Sequence, residues 1–250
     1  MTAARKSGTA DRDDAKSASV EDLRPNGDAK ASEAEIIERI YAAVMEQRLP
    51  PGTKLSEATL SETFGASRMR IRRVLLVLAS REIVQLHSNR GAYISKPSAS
   101  EARSIFEARR TIEPVIIRNA VERVTPAELA TLEKHMAEEH KAHHQRNRRD
   151  AIRLSGEFHV KLAALGDNPV LERYVKELVM RTSLIIGLFG APGIPNCSDH
   201  EHSELLDAIR AGDGNAAAEM MMRHLSHIEE ELELTGSHSG KVNIKDIFGS

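Results

Sequence analysis

The chain has 250 residues, enough for two domains of ordinary size, and its 40% hydrophobic and 29% charged residues are those of a globular protein. A formal net charge of −2 gives the chain as a whole no nucleic-acid signature. Its single cysteine, Cys197, excludes an intrachain disulfide and a cysteine-based zinc finger, and no apolar run approaches the roughly 18 residues of a membrane span or follows the first six residues, so the expected location is cytoplasmic.

Residues 1–32 carry six basic and six acidic side chains and almost no large apolar ones, which predicts a disordered tail. Structure is expected from near Ala34, where Ile36, Ile37, Ile40, Tyr41 and Val44 recur at helical spacing until Leu49-Pro-Pro-Gly52 turns the chain. Ser56 caps a short helix, Glu57–Phe64, and Gly65 permits a tight turn. Ser67 caps the next helix, from Arg68 to Ser80, whose Ile71, Val74, Leu75 and Leu78 form a core stripe. Two β-prone runs, 83–86 and 92–95, flank His87-Ser-Asn-Arg-Gly91 and read as a hairpin.

Beyond Lys96-Pro-Ser98 only helical periodicity and helix punctuation recur. Thr125-Pro-Ala-Glu128 is a capping box, Asn168-Pro169 repeats the cap-then-proline signal, Ser198 or Asp199 can cap another helix, and Gly212-Asp213 marks a stop and a start. Six helices with short connections predict an antiparallel bundle, with 190–195 as its one pronounced loop. The predicted fold is therefore mainly α. A winged helix-turn-helix occupies 33–96 and an all-helical ligand-binding bundle 97–236, with a disordered tail over 1–32 and a flexible one over 237–250.

The weak overall charge conceals a gradient. Between positions 66 and 90 six arginines (Arg68, Arg70, Arg72, Arg73, Arg81 and Arg90) stand against one acid, Glu82. Such a concentration suits phosphate contact, and it equally suits a solvated helix face until the order of elements is added. In a winged helix-turn-helix the second helix of the motif enters the major groove with its N-terminal residues on base edges. Here those residues are Ser67, Arg68, Met69, Arg70 and Arg72, and an arginine fork can bond guanine O6 and N7 together or clamp a phosphate. Arg90 at the hairpin tip is placed for the minor groove, and Gly91 allows close backbone approach.

Residues 36–95 resemble the GntR family of bacterial regulators, above all in Leu49-Pro-Pro-Gly-Thr-Lys-Leu55, Ser67-Arg-Met-Arg-Ile-Arg72 and Asn89-Arg-Gly-Ala-Tyr93. Against the family pattern Ser-Arg-Thr-Pro-Val-Arg-Glu-Ala-Leu, Ser67, Arg68, Arg72 and Leu75 are kept. Met69, Arg70 and Arg73 depart from Thr, Pro and Glu, which bears on the operator sequence and not on the DNA-binding role. Roughly 98–235 resembles the FCD-type helical effector domain of the FadR-like branch. The matching stretches are Phe106-Glu-Ala-Arg109 with Glu113, Glu157-Phe-His159 with Asn168-Pro169, Glu201-His202 with Leu206-Asp-Ala-Ile209, and Arg223-His224-Leu225. The resemblance implies a divalent metal held by one Asp and three His, with a small carboxylate effector completing the shell and pairing with an arginine.

Read from the residues themselves, His159, His202 and His224 are plausible ligands because each stands beside apolar positions, on three different helices. Imidazole suits Zn, Ni, Fe or Mn; each histidine singly is better read as a satisfied, partly buried one, and the coincidence of all three with the family positions reverses that reading. The family Asp falls at Ser155, four residues before His159 on the same helical face, and a hydroxyl is a poor substitute for a carboxylate on a divalent cation. Two outcomes stay open: a weaker three-histidine site with positions free for water or effector, or a pocket that has lost its metal. Glu157 faces a different side. Arg109 is the residue for an effector carboxylate, with Ser155 beside it; an ion pair from Arg109 to Glu113 at i+4 is the structural alternative. His140, His143 and His144 read as a solvated helix face, His200, His227 and His238 likewise, and Cys197 as an incidental loop thiol.

These readings converge on a ligand-responsive transcriptional regulator, expected to repress. It is expected to act as a homodimer on a pseudo-palindromic double-stranded operator, with no membrane partner. Two alternatives remain: a regulator that senses the metal itself, and a metal-dependent enzyme built on the three histidines. Against the enzyme stand the missing His-Glu-x-x-His, Gly-x-Ser-x-Gly and glycine-rich phosphate loop.

Overall fold

The computed structural model of the chain describes residues 31–191, 200–234 and 247–248. Helix α1 (Glu33–Met45) opens with a capping box: Ser32 Oγ accepts from the Glu35 N–H, and the Glu35 carboxylate accepts from the Ser32 N–H at 2.7 Å. Ordered structure thus reaches Ser32, inside the tail expected over 1–32, of which residues 1–30 lie outside the described residues. The apolar spacing of α1 puts Ile36, Ile40, Tyr41 and Val44 on a buried face. That face packs in one core with Ile71, Val74, Leu75 and Leu78 of α3 (Arg68–Ser80), the stripe read from the sequence. Between them, α2 (Glu57–Phe64) is capped by Ser56 and ended by Gly65 at φ 59°, a left-handed conformation that costs glycine nothing.

Strands β2 (Val84–His87) and β3 (Gly91–Ile94) form the expected antiparallel wing, with Val84 opposite Ile94. The sequence did not reveal β1 (Lys54–Leu55), which pairs with the other side of β3 and makes a sheet of order β1-β3-β2. Two residues are too few to show a period.

The bundle consists of α4 (Ala99–Arg123), α5 (Pro126–His144), α6 (Arg148–Leu165), α7 (Pro169–Phe189), α8 (Glu201–Arg210) and α9 (Gly214–Glu230). Ser98, Thr125, Asn147, Asn168 and Asp213 each accept from a backbone N–H of the helix they open. Helix α8 begins after His200 without a side-chain cap; Ser198 and Asp199, expected there, lie outside the described residues, as do Cys197 and most of the loop at 190–195. The long α4 runs through the bundle against α6, α7, α8 and α9, so it meets all three helices that carry the histidines.

The described residues form one compact unit, and α1 packs on α6 and α7 as well as on α3. Of the tail expected to be flexible from 237, only Ile247 and Phe248 are described. Phe248 is buried, its ring centroid 5.1 Å from that of Phe64, while Arg48 donates to the Ile247 carbonyl at 3.0 Å.

The cap at Thr125 is complete on both sides, since its hydroxyl accepts from the Glu128 N–H and its own N–H donates to the Glu128 carboxylate at 2.8 Å. Thr125→Ala is therefore expected to destabilise the fold by about 1 kcal/mol, read as a lower urea midpoint with an unchanged slope.

Candidate effector site and nucleic-acid interface

Helix α6 carries Ser155 and His159 one turn apart on its buried side, because residues i and i+4 share a face. His202 lies in the first turn of α8 and His224 on α9, and Gly212 (φ 75°) with the Asp213 cap folds α9 back against α8. The three imidazoles are buried and converge. His202 Nε2 stands 3.0 Å from His224 Nε2, which stands 3.2 Å from His159 Nε2, and one ligand atom from each ring lies within 4.8 Å of the others.

What turns these atoms toward one another is a ring of carboxylates behind them. His159 Nδ1 donates to Glu113 Oε2 at 2.6 Å, His202 Nδ1 to Glu139 Oε1 at 2.9 Å, and His224 Nδ1 to Glu201 Oε2 at 2.8 Å. With a proton on each Nδ1, each Nε2 is an acceptor or ligand atom, and the three Nε2 atoms gather around a common centre. This carboxylate–histidine arrangement is the one that orients imidazole toward a metal. Burial pushes His159 down to about 4 and His224 to about 3, so both are neutral, as ligation requires. Burial alone would raise Glu113, but the Arg109 guanidinium and His159 outweigh it and bring the carboxyl to about 2. Glu139 is likewise held low by His202 and His143 against the effect of burial. The donor set fits a divalent metal.

Beside the histidines lies a small cavity lined by Arg109, Ser155, His159, Thr182 and His143, among others. Arg109, 2% exposed, donates from Nε to Glu113 Oε1 at 2.5 Å and from Nη1 to Thr182 Oγ1 at 3.2 Å. Its Nη2 is buried with no hydrogen-bond partner. The ion pair to Glu113 is thus present, and it aligns the guanidinium while leaving one edge unused.

His143 corrects the reading of its segment as a solvated face. Its side chain is 9% exposed and lines the cavity, and Nε2 is without a hydrogen-bond partner, 3.9 Å from Glu139 Oε1. Neighbouring His140 is half-buried and bonded to Ser203 Oγ, His227 pairs with Glu201, and His144 and His200 are exposed; His238 lies outside the described residues. Sequence reasoning passed over His135, which is buried with Nε2 2.8 Å from the Leu154 carbonyl, and Glu139. Their common signal was spacing: Leu132, His135, Met136, Glu139 and Ala142 form one helical stripe, polar enough to resemble a solvated face.

At the other end of the molecule the start of α3 is exposed. Arg68 has no partner among the described residues, and Met69 is 67% exposed. Arg72 pairs with Glu57 at 2.8 Å and Arg73 with Glu33 at 3.0 Å, both on the surface. Arg70, expected on the same footing, is turned away: its Nη1 donates to the Ala31 carbonyl at 2.8 Å and joins α3 to the chain before α1. Arg90 and Gly91 are exposed at the wing, where Asn89 (φ 61°) and Gly91 (φ 90°) make the turn. Among the described residues no helix is long and apolar enough to cross a membrane.

Residues 32–94 match the family described as bacterial regulatory proteins, gntR family, and residues 104–227 match the FCD domain. The HTH-type transcriptional repressor RspR of Escherichia coli is 26% identical over 185 residues, covering 74% of this chain and 81% of its own length. The HTH-type transcriptional repressor NanR of Salmonella schwarzengrund is 27% identical over 247 residues, covering 88% and 90%. Among solved structures, Escherichia coli McbR/YncC superposes with a TM-score of 0.69 at 18% identity, over 80% of this chain and 97% of its own. A GntR transcriptional regulator of Rhodococcus sp. RHA1 gives 0.69 at 19%, over 80% and 96%.

Because His159 and His224 ionise lower in the folded chain than the ordinary 6.5, the unfolded chain takes up protons first as the pH falls. The metal-free protein, kept in chelator, is expected to lose stability steadily from about pH 6.5 toward 4, with Glu113 adding to the loss further down. Denaturant midpoints at pH 7.5, 6 and 5 check this; a flat series contradicts it.

Proposed function

The chain belongs to the GntR family of bacterial regulatory proteins, its helical half being an FCD domain, and we propose that it is an acid-responsive repressor of transcription. It is a transcriptional regulator and not an enzyme, as the named relatives are regulators of transcription. The observation that carries the acid-sensing reading is the unpartnered edge of Arg109. A buried guanidinium nitrogen without an acceptor is costly, and Arg109 lines a cavity that His159 of the three-histidine cluster also lines.

In this reading His159, His202 and His224 hold a divalent ion, with Zn, Ni, Fe or Mn all suited to imidazole. A bound ion would supply positive charge among the three Nε2 atoms, with coordination positions left for a carboxylate. Ser155, where the family carries Asp, leaves the fourth protein donor neutral and the cavity side open. Arg109 Nη2 donates to the carboxylate of a small organic acid. His143, the second unpartnered donor in the cavity wall, takes a hydroxyl or carbonyl at the other end of the same molecule. Removal of metal from the purified chain is expected to lower its melting temperature. His202→Ala should abolish tight zinc uptake in calorimetry, and Arg109→Gln should retain zinc but lose the thermal shift given by small hydroxy acids. DNA release on metal alone, unaffected by any acid, would instead identify a metal sensor.

The segment 33–96 forms the DNA-reading half and 97–236 the sensing half, with a homodimer presenting two α3 helices to a pseudo-palindromic operator. Repression is proposed because RspR and NanR are named repressors. Arg68 and Met69 are placed for base edges, Met69 being suited to a thymine methyl, while Arg72 exchanges its surface pair with Glu57 for a phosphate. Arg68→Ala should cost about 1–3 kcal/mol on the preferred sequence and little on random DNA. Arg72→Ala should weaken both and reduce the salt slope by about 1. Anisotropy titrations at several salt concentrations read both effects.

A further inference from the structure

The cavity proposed to receive the acid is small. Its volume is about 30 Å³, room for roughly two waters, so an organic acid has to enlarge it by moving a wall. Every wall residue but one belongs to the bundle. The exception is Met45, the last residue of α1, which is otherwise part of the core under α3. Met45 is wedged against α6 and α7 at a place the sequence keeps empty for it. A Cβ on Gly156 would lie 2.4 Å from Met45 Cε and 3.0 Å from Val179 Cγ1. Met45 and Val179 also line a larger groove on the other side, about 360 Å³ and bordered by Tyr41, Lys161 and Lys176, so these two side chains partition cavity from groove.

The same end of α1 is fastened to the cavity wall. Gln47, held at φ 55°, donates from Nε2 to the Ser183 carbonyl at 2.7 Å and to Ser183 Oγ at 3.0 Å. Ser183 Oγ in turn donates to the Val44 carbonyl at 3.4 Å. Ser183 lines the cavity next to Thr182, which accepts from Arg109. Met45 therefore makes the end of α1 part of the cavity wall, with Gln47 just beyond it tied to Ser183, while Ile36, Ile40 and Val44 pack in one core with α3.

We propose that Met45 is the plug of the effector cavity. An acid reaching from Arg109 toward the histidine cluster expels the Met45 side chain from between Gly156 and Val179, and the resulting shift of α1 is what the DNA-reading half feels. The proposal rests on the cavity being the effector site. Methionine suits the task because an unbranched thioether has several arrangements of similar energy. A ligand shifts the equilibrium only through such a difference between two states. The plug also sets specificity, since the acids admitted are those able to displace it.

A test that needs no acid uses Gly156 as an internal wedge. DNA affinity of the full chain is measured by anisotropy on a duplex that the wild-type chain selects from a random pool. Gly156→Ala forces the Met45 methyl aside and should weaken binding at least fivefold, the lower end of ordinary allosteric coupling. Adding Met45→Ala removes the collision and should return affinity to within twofold of Met45→Ala alone. No weakening in Gly156→Ala, or equal weakening in the double variant, overturns the proposal.

Met45→Ala, which only removes atoms, gives a second reading should Gly156→Ala not fold. With zinc present, malate and citrate should bind it at least tenfold more tightly than wild type yet change its DNA affinity less than twofold; a full wild-type response overturns the plug. If neither acid binds either chain while the Gly156 cycle holds, the acid-sensing reading fails and the plug stands.

Discussion

Three imidazole Nε2 atoms are held around one centre, and carboxylates from three helices keep the rings there. Each ring is fixed by a carboxylate on a different helix: Glu113 of α4 for His159, Glu139 of α5 for His202, and Glu201 of α8 for His224. The rings themselves come from α6, α8 and α9. Two of the carboxylates are buried, which is expensive for a charge unless it is paired. Glu113 has Arg109 as its counter-charge, whereas the partners described for Glu139 are the imidazoles of His202 and His143. A divalent ion among the Nε2 atoms would relieve this surplus of negative charge.

Arg109 ties that cluster to the cavity. With Nε committed to Glu113 and Nη1 to Thr182, the guanidinium cannot turn to satisfy Nη2 elsewhere. The structural ion pair and the ligand-binding role, set against each other on sequence grounds, are compatible because the fork has two edges. His143, which lines the same cavity, carries a second buried nitrogen without a hydrogen-bond partner.

The DNA-reading half obeys the opposite rule. Its charges lie on the surface, where the pairs Arg72–Glu57 and Arg73–Glu33 contribute little and can be exchanged for phosphates. What is fixed is the apolar underside of α3, held on α1. Because α1 also lines the cavity through Met45, and Gln47 just beyond it bonds to Ser183, the two halves share one helix.

Local chemistry made much of this legible beforehand. Helix ends at Ser56, Ser67, Thr125 and Asn168 follow from side chains satisfying backbone N–H groups a few residues away, and the stripes of α1 and α3 follow from a period of 3.6; both are properties of short segments. The sequence by itself also determined the arginine-rich start of α3 and the three histidines, because residue type and spacing suffice to name them. Only the tertiary structure decided which arginine is spent internally, as Arg70 is on Ala31, and that His143 faces inward on a stripe too polar to look buried. It alone brought Met45 to a cavity lined by Gly156 and Val179, more than a hundred positions further along the chain. The reason is physical: capping and periodicity act over a few residues, whereas the partner of a buried charge or the wall of a cavity is supplied by whichever helix packs across it, at a sequence separation that no local pattern records.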